Sequence, residues 1–221
     1  YQPLFLHHTA FAKHPQNSYR RVFASYPAII ALVLDATAVL ISPYRLAADM
    51  RIAVIINPDA GLGGRLGFKG SDGRAEEARA AGAEDRAGPR MRQCLEHLTK
   101  LAREPLELLA WDGRMGGDWI PGQYTSTGIT PETTSASSTS QFISSHEPDL
   151  FLYAGGDGTT RDIVKALDSR EIPIVGVPGG VKMHSGSFAT TPKAAAEVVW
   201  AFVVGDLMVA RTKVMDLDEE M

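Results

Sequence analysis

The sequence predicts an α/β domain with a largely parallel sheet. Apolar, strand-like runs alternate along the chain with segments of helical periodicity, which is the pattern that this fold class requires. The first clear run, residues 52–56, is continuously apolar and rich in β-branched side chains, as expected of a strand that is buried on both faces. In addition, several short glycine-rich loops directly follow the strand-like runs.

The predicted elements follow one another in a regular order. Apolar spacing predicts a helix that has Pro89 in its first turn and ends near Pro105. Thr191 is expected to cap a helix that opens with Pro192. The segment 121–141 is poor in apolar residues and is predicted as a solvated loop, with a helix from Thr134 as the alternative. Strands are predicted at 52–56, 106–111, 149–154, 172–177 and 209–215, and further helices at 75–81, 160–167 and 193–204.

Composition limits the classes of function. The chain has 221 residues, of which 44% are hydrophobic, enough for one well-formed core. A net charge of -4 gives no electrostatic reason to expect nucleic acid as a partner. The single cysteine, Cys94, excludes a disulfide within the chain, fits a reducing compartment, and lies in an amphipathic pattern that predicts burial.

The segment 1–49 differs in character from the rest. Its apolar run, 27–41, is shorter than the ~20 residues that span a bilayer, and Asp35 lies near its centre, so no membrane anchor is expected. Arg20 and Arg21 precede the run, but no clean signal-peptide cleavage site follows. We expect Met50 to be the natural start of the protein, and we assign no function to 1–49.

Four glycine-rich loops are predicted to lie at one edge of the sheet. They are 60–64, 113–117, 155–158 and 178–180, and each follows a predicted strand. In parallel sheets, ligands bind beyond the carboxyl ends of the strands, so these loops are expected to form a single binding region.

The most specific signal is the run Gly155-Gly156-Asp157-Gly158-Thr159, between an apolar strand and a helix. Glycines allow the backbone to approach phosphate oxygens, and the N–H groups of the turn and of the helix start provide donors for anions. The Asp157 carboxylate would repel phosphate, so it is interpreted as a general base or as a magnesium-linked carboxylate. A tight turn with a helix-capping aspartate is the alternative.

These motifs resemble the ATP-NAD kinase family, in its branch related to acetoin-catabolism proteins. Gly-Gly-Asp-Gly-Thr is the hallmark of the superfamily of NAD, diacylglycerol and sphingosine kinases and 6-phosphofructokinases. The resemblance covers about 50–221 and departs slightly at Pro178-Gly179-Gly180, where relatives often have Pro-Ala-Gly. The other motifs that carry it are Asn57-Pro58-x-Ala60-Gly61-x-Gly63-Gly64, Gly176-Val177-Pro178-Gly179-Gly180-Val181-Lys182-Met183-His184-Ser185-Gly186 and Val214-Met215-Asp216-Leu217-Asp218-Glu219-Glu220.

The resemblance implies a three-layer Rossmann-like kinase domain over 50–207, followed by a β-rich carboxy-terminal domain that begins at 208–221 and is truncated here. It implies transfer of a phosphoryl group from ATP, or polyphosphate, to the 2′-hydroxyl of the adenosine ribose of NAD, with Mg²⁺, in the cytoplasm. The full-length protein would be a homo-oligomer, and the fragment would lack full activity. Asp157 would be catalytic, and no residue is predicted as a metal ligand. The nucleotide-binding residues would be Asn57, Gly61, Gly63, Gly64, Gly155, Gly156, Gly158, Thr159, Thr160, Gly179, Gly180, Lys182, His184 and Ser185.

Two other functions remain open. A lipid kinase of the diacylglycerol or sphingosine type shares the glycine motif, although Arg161 and Asp162 stand where those enzymes often carry a glutamate. A protein that binds NAD or ATP without turnover is the second. A Rossmann dehydrogenase is disfavoured because the run 61–64 lacks the Gly-x-Gly-x-x-Gly fingerprint.

Overall fold

The computed structural model describes residues 6–13, 31–34, 37–40, 50–62, 79–102, 104–179 and 183–214. These residues form nine strands: β1 (Leu6–Lys13), β2 (Ala31–Leu34), β3 (Thr37–Leu40), β4 (Arg51–Ile56), β5 (Glu107–Asp112), β6 (Thr125–Ile129), β7 (Leu150–Gly155), β8 (Ile174–Pro178) and β9 (Leu207–Val214). They also form four α-helices: α1 (Ala87–Leu101), α2 (Ala136–Ser144), α3 (Asp157–Leu167) and α4 (Pro192–Val203).

The central sheet has five parallel strands in the order β6-β5-β4-β7-β8. The chain therefore builds outward from β4 to β6 on one side and then returns to add β7 and β8 on the other side. The strand order reverses between β4 and β7, and this switch point leaves a crevice at the carboxyl ends of these two strands. The predicted α/β class with a parallel sheet is confirmed.

Helices cover both faces of the sheet and create three layers. Ile52, Val54 and Ile56 of β4 share one core with α1 and α4, while Ala53 and Ile55 share the other core with α2 and α3. Every residue from 52 to 56 is thus buried, which is the physical reason for the uninterrupted apolar run. This arrangement is a Rossmann-like doubly wound domain.

The segment 121–141 differs from its prediction as a solvated loop. Residues 125–129 form β6, an edge strand whose side chains are largely exposed. Helix α2 begins at Ala136, which agrees with the alternative of a helix from about Thr134. The edge strand is held by its pairing with β5, so its sequence carries no apolar pattern to reveal it. Helix α3 also begins at Asp157, three residues before the predicted start at 160. Because glycines flank its first residue, the sequence pattern does not indicate where this helix begins.

Other boundaries agree with expectation. Thr191 caps α4, since its hydroxyl oxygen accepts a hydrogen bond from the Ala194 N–H at 3.0 Å, and Pro192 is the first helical residue. Cys94 is fully buried. The helix predicted at 75–81 falls mostly outside the described residues.

The described parts of the amino-terminal segment form strands. β1 pairs with β9 in an antiparallel ladder, and β2 pairs with β3. The prediction that 1–49 has no function remains a prediction. Among the described residues, no helix combines the length and the apolar character needed to cross a bilayer.

Candidate functional site

The loops that follow β4, β5, β7 and β8 meet at the switch point. The Asn57 N–H donates to the Ala154 carbonyl at 2.9 Å, and the Gly179 N–H donates to the Gly155 carbonyl at 3.1 Å. The Met115 carbonyl, from the loop after β5, accepts a hydrogen bond from the last residue of β4 at 2.8 Å. The described portions of the four predicted loops therefore lie together at the carboxyl edge of the sheet, as expected.

Two of the site glycines are required by contacts within the chain. Gly61 has a φ of +84°, and a Cβ added there would stand 2.4 Å from the Gly179 carbonyl oxygen. A Cβ at Gly155 would stand 2.5 Å from Oγ1 of Thr159. That oxygen also accepts a hydrogen bond from Nδ2 of Asn57 at 2.9 Å. Asn57 and Thr159, predicted to bind nucleotide, thus brace the first loop against the start of α3.

Gly158 is different, because no described part of the chain requires a glycine there. It is the second residue of α3 and is exposed. A Cβ added to it would meet no atom of the described residues within 4 Å. Glycine costs a helix up to about 1 kcal/mol relative to alanine, so its presence here needs another cause. The open space above its backbone is suited to close approach by a ligand.

Asp157, the first residue of α3, is partly exposed and not covered by packed side chains. Its Oδ2 accepts a hydrogen bond from the His184 N–H at 2.8 Å. Its Oδ1 accepts two from Ser185, one from the N–H at 2.9 Å and one from the hydroxyl at 2.6 Å. His184 and Ser185, which were predicted to bind nucleotide, both contact the carboxylate of Asp157. The helix start also favours a negative charge at this position.

Beneath the loops lies a buried network of hydroxyl groups that the sequence did not reveal. The Tyr153 hydroxyl is 2.5 Å from Oγ1 of Thr160 and 2.8 Å from Oγ of Ser187. Burial raises the pKa of the Tyr153 phenol well above its usual value. Thr160 was predicted among the nucleotide-binding residues; it is fully buried, and its hydroxyl lies in this network. Tyr153 was missed because a tyrosine within an apolar strand looks like an ordinary core residue.

A charged cluster lies beside the first loop and was also missed. A nitrogen of Arg79 is 2.7 Å from Oδ1 of Asp59. Asp85 lies 3.5 Å from both Arg79 and Arg114. These side chains come from three separate segments of the chain, so no local motif marks them. They place two partly exposed guanidinium groups near the switch-point edge.

Some predicted residues cannot be assigned a place. Gly63, Gly64, Gly180 and Lys182 lie outside the described residues, as do 215–221. Gly156, the residue before α3, has an extended backbone and completes the turn out of β7. Within the described part of the chain, no three His, Cys, Asp or Glu side chains form a group that could hold a metal ion.

Fold and loops together define a doubly wound α/β domain whose glycine-rich loops converge at the topological switch point. The family described as the ATP-NAD kinase N-terminal domain matches residues 52–207. This match covers most of the chain, and the protein therefore belongs to the ATP-NAD kinase family. No curated protein matches the chain significantly.

Proposed function

We propose that this domain provides the phosphoryl-transfer site of an NAD kinase. The donor would be ATP or polyphosphate, and the acceptor would be the 2′-hydroxyl of the adenosine ribose of NAD. The observation that carries the proposal is that no atom of the described residues lies within 4 Å of a Cβ built on Gly158, the residue after Asp157 at the switch point of the sheet. Membership in the family supports kinase activity, and the geometry at the start of α3 supports Asp157 as the reactive group.

The start of α3 has the properties that a phosphate site needs. Backbone N–H groups at a helix amino terminus supply donors and positive potential for anions. At the exposed Gly158, phosphate oxygens would reach this backbone without meeting a side chain of the described residues. Arg79 and Arg114 add positive charge at the same edge, although Asp59 and Asp85 neutralise part of it.

The proposed reaction requires one proton acceptor. The 2′-hydroxyl oxygen of the ribose attacks the terminal phosphorus of the donor, and the bond from that phosphorus to the bridging oxygen breaks. ADP, or the shortened polyphosphate, leaves with the electron pair of that bond. The hydroxyl proton passes to the carboxylate of Asp157, which orients the hydroxyl before transfer.

Mg²⁺ is expected to accompany the phosphate donor and to neutralise charge on the phosphates. Proteins usually hold Mg²⁺ through one or two carboxylates together with substrate phosphates and waters. Since the Asp157 carboxylate is assigned to the ribose hydroxyl, Mg²⁺ would be held through the donor's phosphates and waters. Asp59, on the neighbouring loop, is already paired with Arg79.

The test is NADP formation by the Asp157→Asn variant, with Glu107→Gln as the control. Glu107 is exposed and begins β5, at the opposite edge of the sheet from the site. Loss of a general base is expected to lower kcat by about 10²–10⁴-fold, while ATP binding measured by calorimetry is retained. Glu107→Gln should keep wild-type kcat.

Two outcomes would contradict the proposal. Wild-type NADP formation by Asp157→Asn would remove Asp157 from proton transfer. Phosphorylation of a lipid in vesicles, with no NADP formed from NAD and ATP, would instead indicate the lipid kinase alternative.

A further inference from the structure

The hydrogen bonds of Asp157 distinguish its two oxygens. A carboxylate has about four lone-pair positions, two on each oxygen. Oδ1 accepts both hydrogen bonds from Ser185, so its two positions are filled. Oδ2 accepts one hydrogen bond, from the His184 N–H. Among the described residues, the remaining lone pair of Asp157 therefore belongs to Oδ2.

We propose that Ser185 is a positioning residue that fixes the rotation of the Asp157 carboxylate, so that Oδ2 faces the substrate hydroxyl. This inference rests on the proposed function and deepens it. The N–H and the hydroxyl of Ser185 both donate hydrogen bonds to the same oxygen. Two donors restrict the rotation of the carboxylate more than a single donor could. A carboxylate held in one orientation presents its reactive lone pair to the ribose hydroxyl without a search over rotamers.

The burial of Ser185 favours this role over direct contact with nucleotide. Ser185 is only 4% exposed, and its hydroxyl proton is committed to Asp157 at 2.6 Å. A short hydrogen bond to a carboxylate is among the stronger kinds in proteins. The hydroxyl would have to give up this bond before it could donate to a ribose or a phosphate.

The loop that carries Ser185 is anchored well enough to act as a rigid support. The Gly176 N–H donates to the Ser187 carbonyl at 2.8 Å, which ties the loop to β8. The Ala189 N–H donates to the Gly176 carbonyl at 3.0 Å, which adds a second backbone bond to the same residue of β8. The position of Asp157 is thus set by β8 through Ser185.

The test compares Ser185→Ala with Ser187→Ala. Both residues are buried serines of the same loop, but Ser187 bonds Tyr153 and not Asp157. In Ser185→Ala, kcat for NADP formation is expected to fall by about 10- to 100-fold, with KM for NAD and ATP changed less than about twofold. Ser187→Ala should keep a kcat within about twofold of wild type, even if its melting temperature falls.

A double-mutant cycle with Asp157→Asn separates positioning from other roles. If Ser185 acts through Asp157, adding Ser185→Ala to Asp157→Asn lowers kcat by less than about twofold further. A tenfold further loss would overturn the inference, as would a raised KM with unchanged kcat in Ser185→Ala.

The failure of this inference can be told apart from failure of the proposed function. If wild type forms NADP but Ser185→Ala does so with wild-type kcat, only the positioning role is wrong. If wild type forms no NADP from NAD and a phosphate donor, the proposed function is wrong and the positioning role falls with it.

Discussion

Replacing Gly158 with alanine adds one methyl group, which should affect folding stability and nucleotide binding in opposite directions. Gly158 lies within the first turn of α3, and a methyl group there meets no atom within 4 Å in the part of the chain that the structure describes. Alanine is favoured over glycine in helices by up to about 1 kcal/mol. We therefore expect Gly158→Ala to raise the free energy of unfolding by about 0.5–1 kcal/mol. For a chain of this size, that corresponds to a melting temperature about 1–4 °C higher.

The same methyl group should weaken nucleotide binding. It would occupy the space through which phosphate oxygens reach the backbone at the start of α3. Overpacking by one methyl group typically costs about 1–3 kcal/mol, so the Kd for ATP should rise about 5- to 150-fold. Thermal denaturation and calorimetric titration with ATP, on the same samples, measure the two effects.

Gly155→Ala is the matched comparison. Its added Cβ would lie 2.5 Å from Oγ1 and 2.6 Å from Cβ of Thr159, so this variant should lose about 1–3 kcal/mol of stability. A Gly158→Ala protein that is stabilised and still binds ATP like wild type would refute the assignment of the phosphate site. If Gly158→Ala is destabilised as much as Gly155→Ala, the added methyl group must clash with a neighbour, and the claim of free space at Gly158 is wrong.

Two further predictions concern the scaffold. Arg170 donates hydrogen bonds to the carbonyls of Ile143 and His146 at the end of α2 and of Ala166 and Leu167 at the end of α3. Arg170→Ala should therefore lower the free energy of unfolding, measured in urea, by about 2–4 kcal/mol. Arg170→Lys lacks the planar guanidinium and should recover less than half of that loss, so wild-type stability in the lysine variant would contradict this role. Burial raises the pKa of the Cys94 thiol from 9.0 to about 12. The stabilisation that follows from this shift is fully present below pH 9 and is lost as pH rises toward 12. Between pH 9 and 10, the free energy of unfolding of wild type should therefore fall by up to about 1.4 kcal/mol per pH unit more than that of Cys94→Ala. Equal dependence of the two free energies on pH would contradict this prediction.

Local signals were enough to predict most of the sheet and the edge of the sheet at which the glycine-rich loops meet. Strands buried on both faces have continuous apolar runs, and glycines that follow them mark loops where backbone groups come close together. The exposed edge strand β6 was missed because only its partner β5 holds it in place. The start of α3 was placed too late because glycine has low helix propensity, and this helix start is fixed by tertiary contacts.

The sequence by itself determined the class of fold, the switch-point loops and the resemblance to a kinase family, since each depends on the order and spacing of neighbouring residues. Only the tertiary structure decided what each polar side chain of the site contacts. It brought Ser185 onto Asp157, enclosed the hydroxyl of Thr160 beside Tyr153, and left Gly158 uncovered by any of the described residues. These contacts join residues far apart in the chain, and the direction of a hydrogen bond between them depends on how the strands and helices pack.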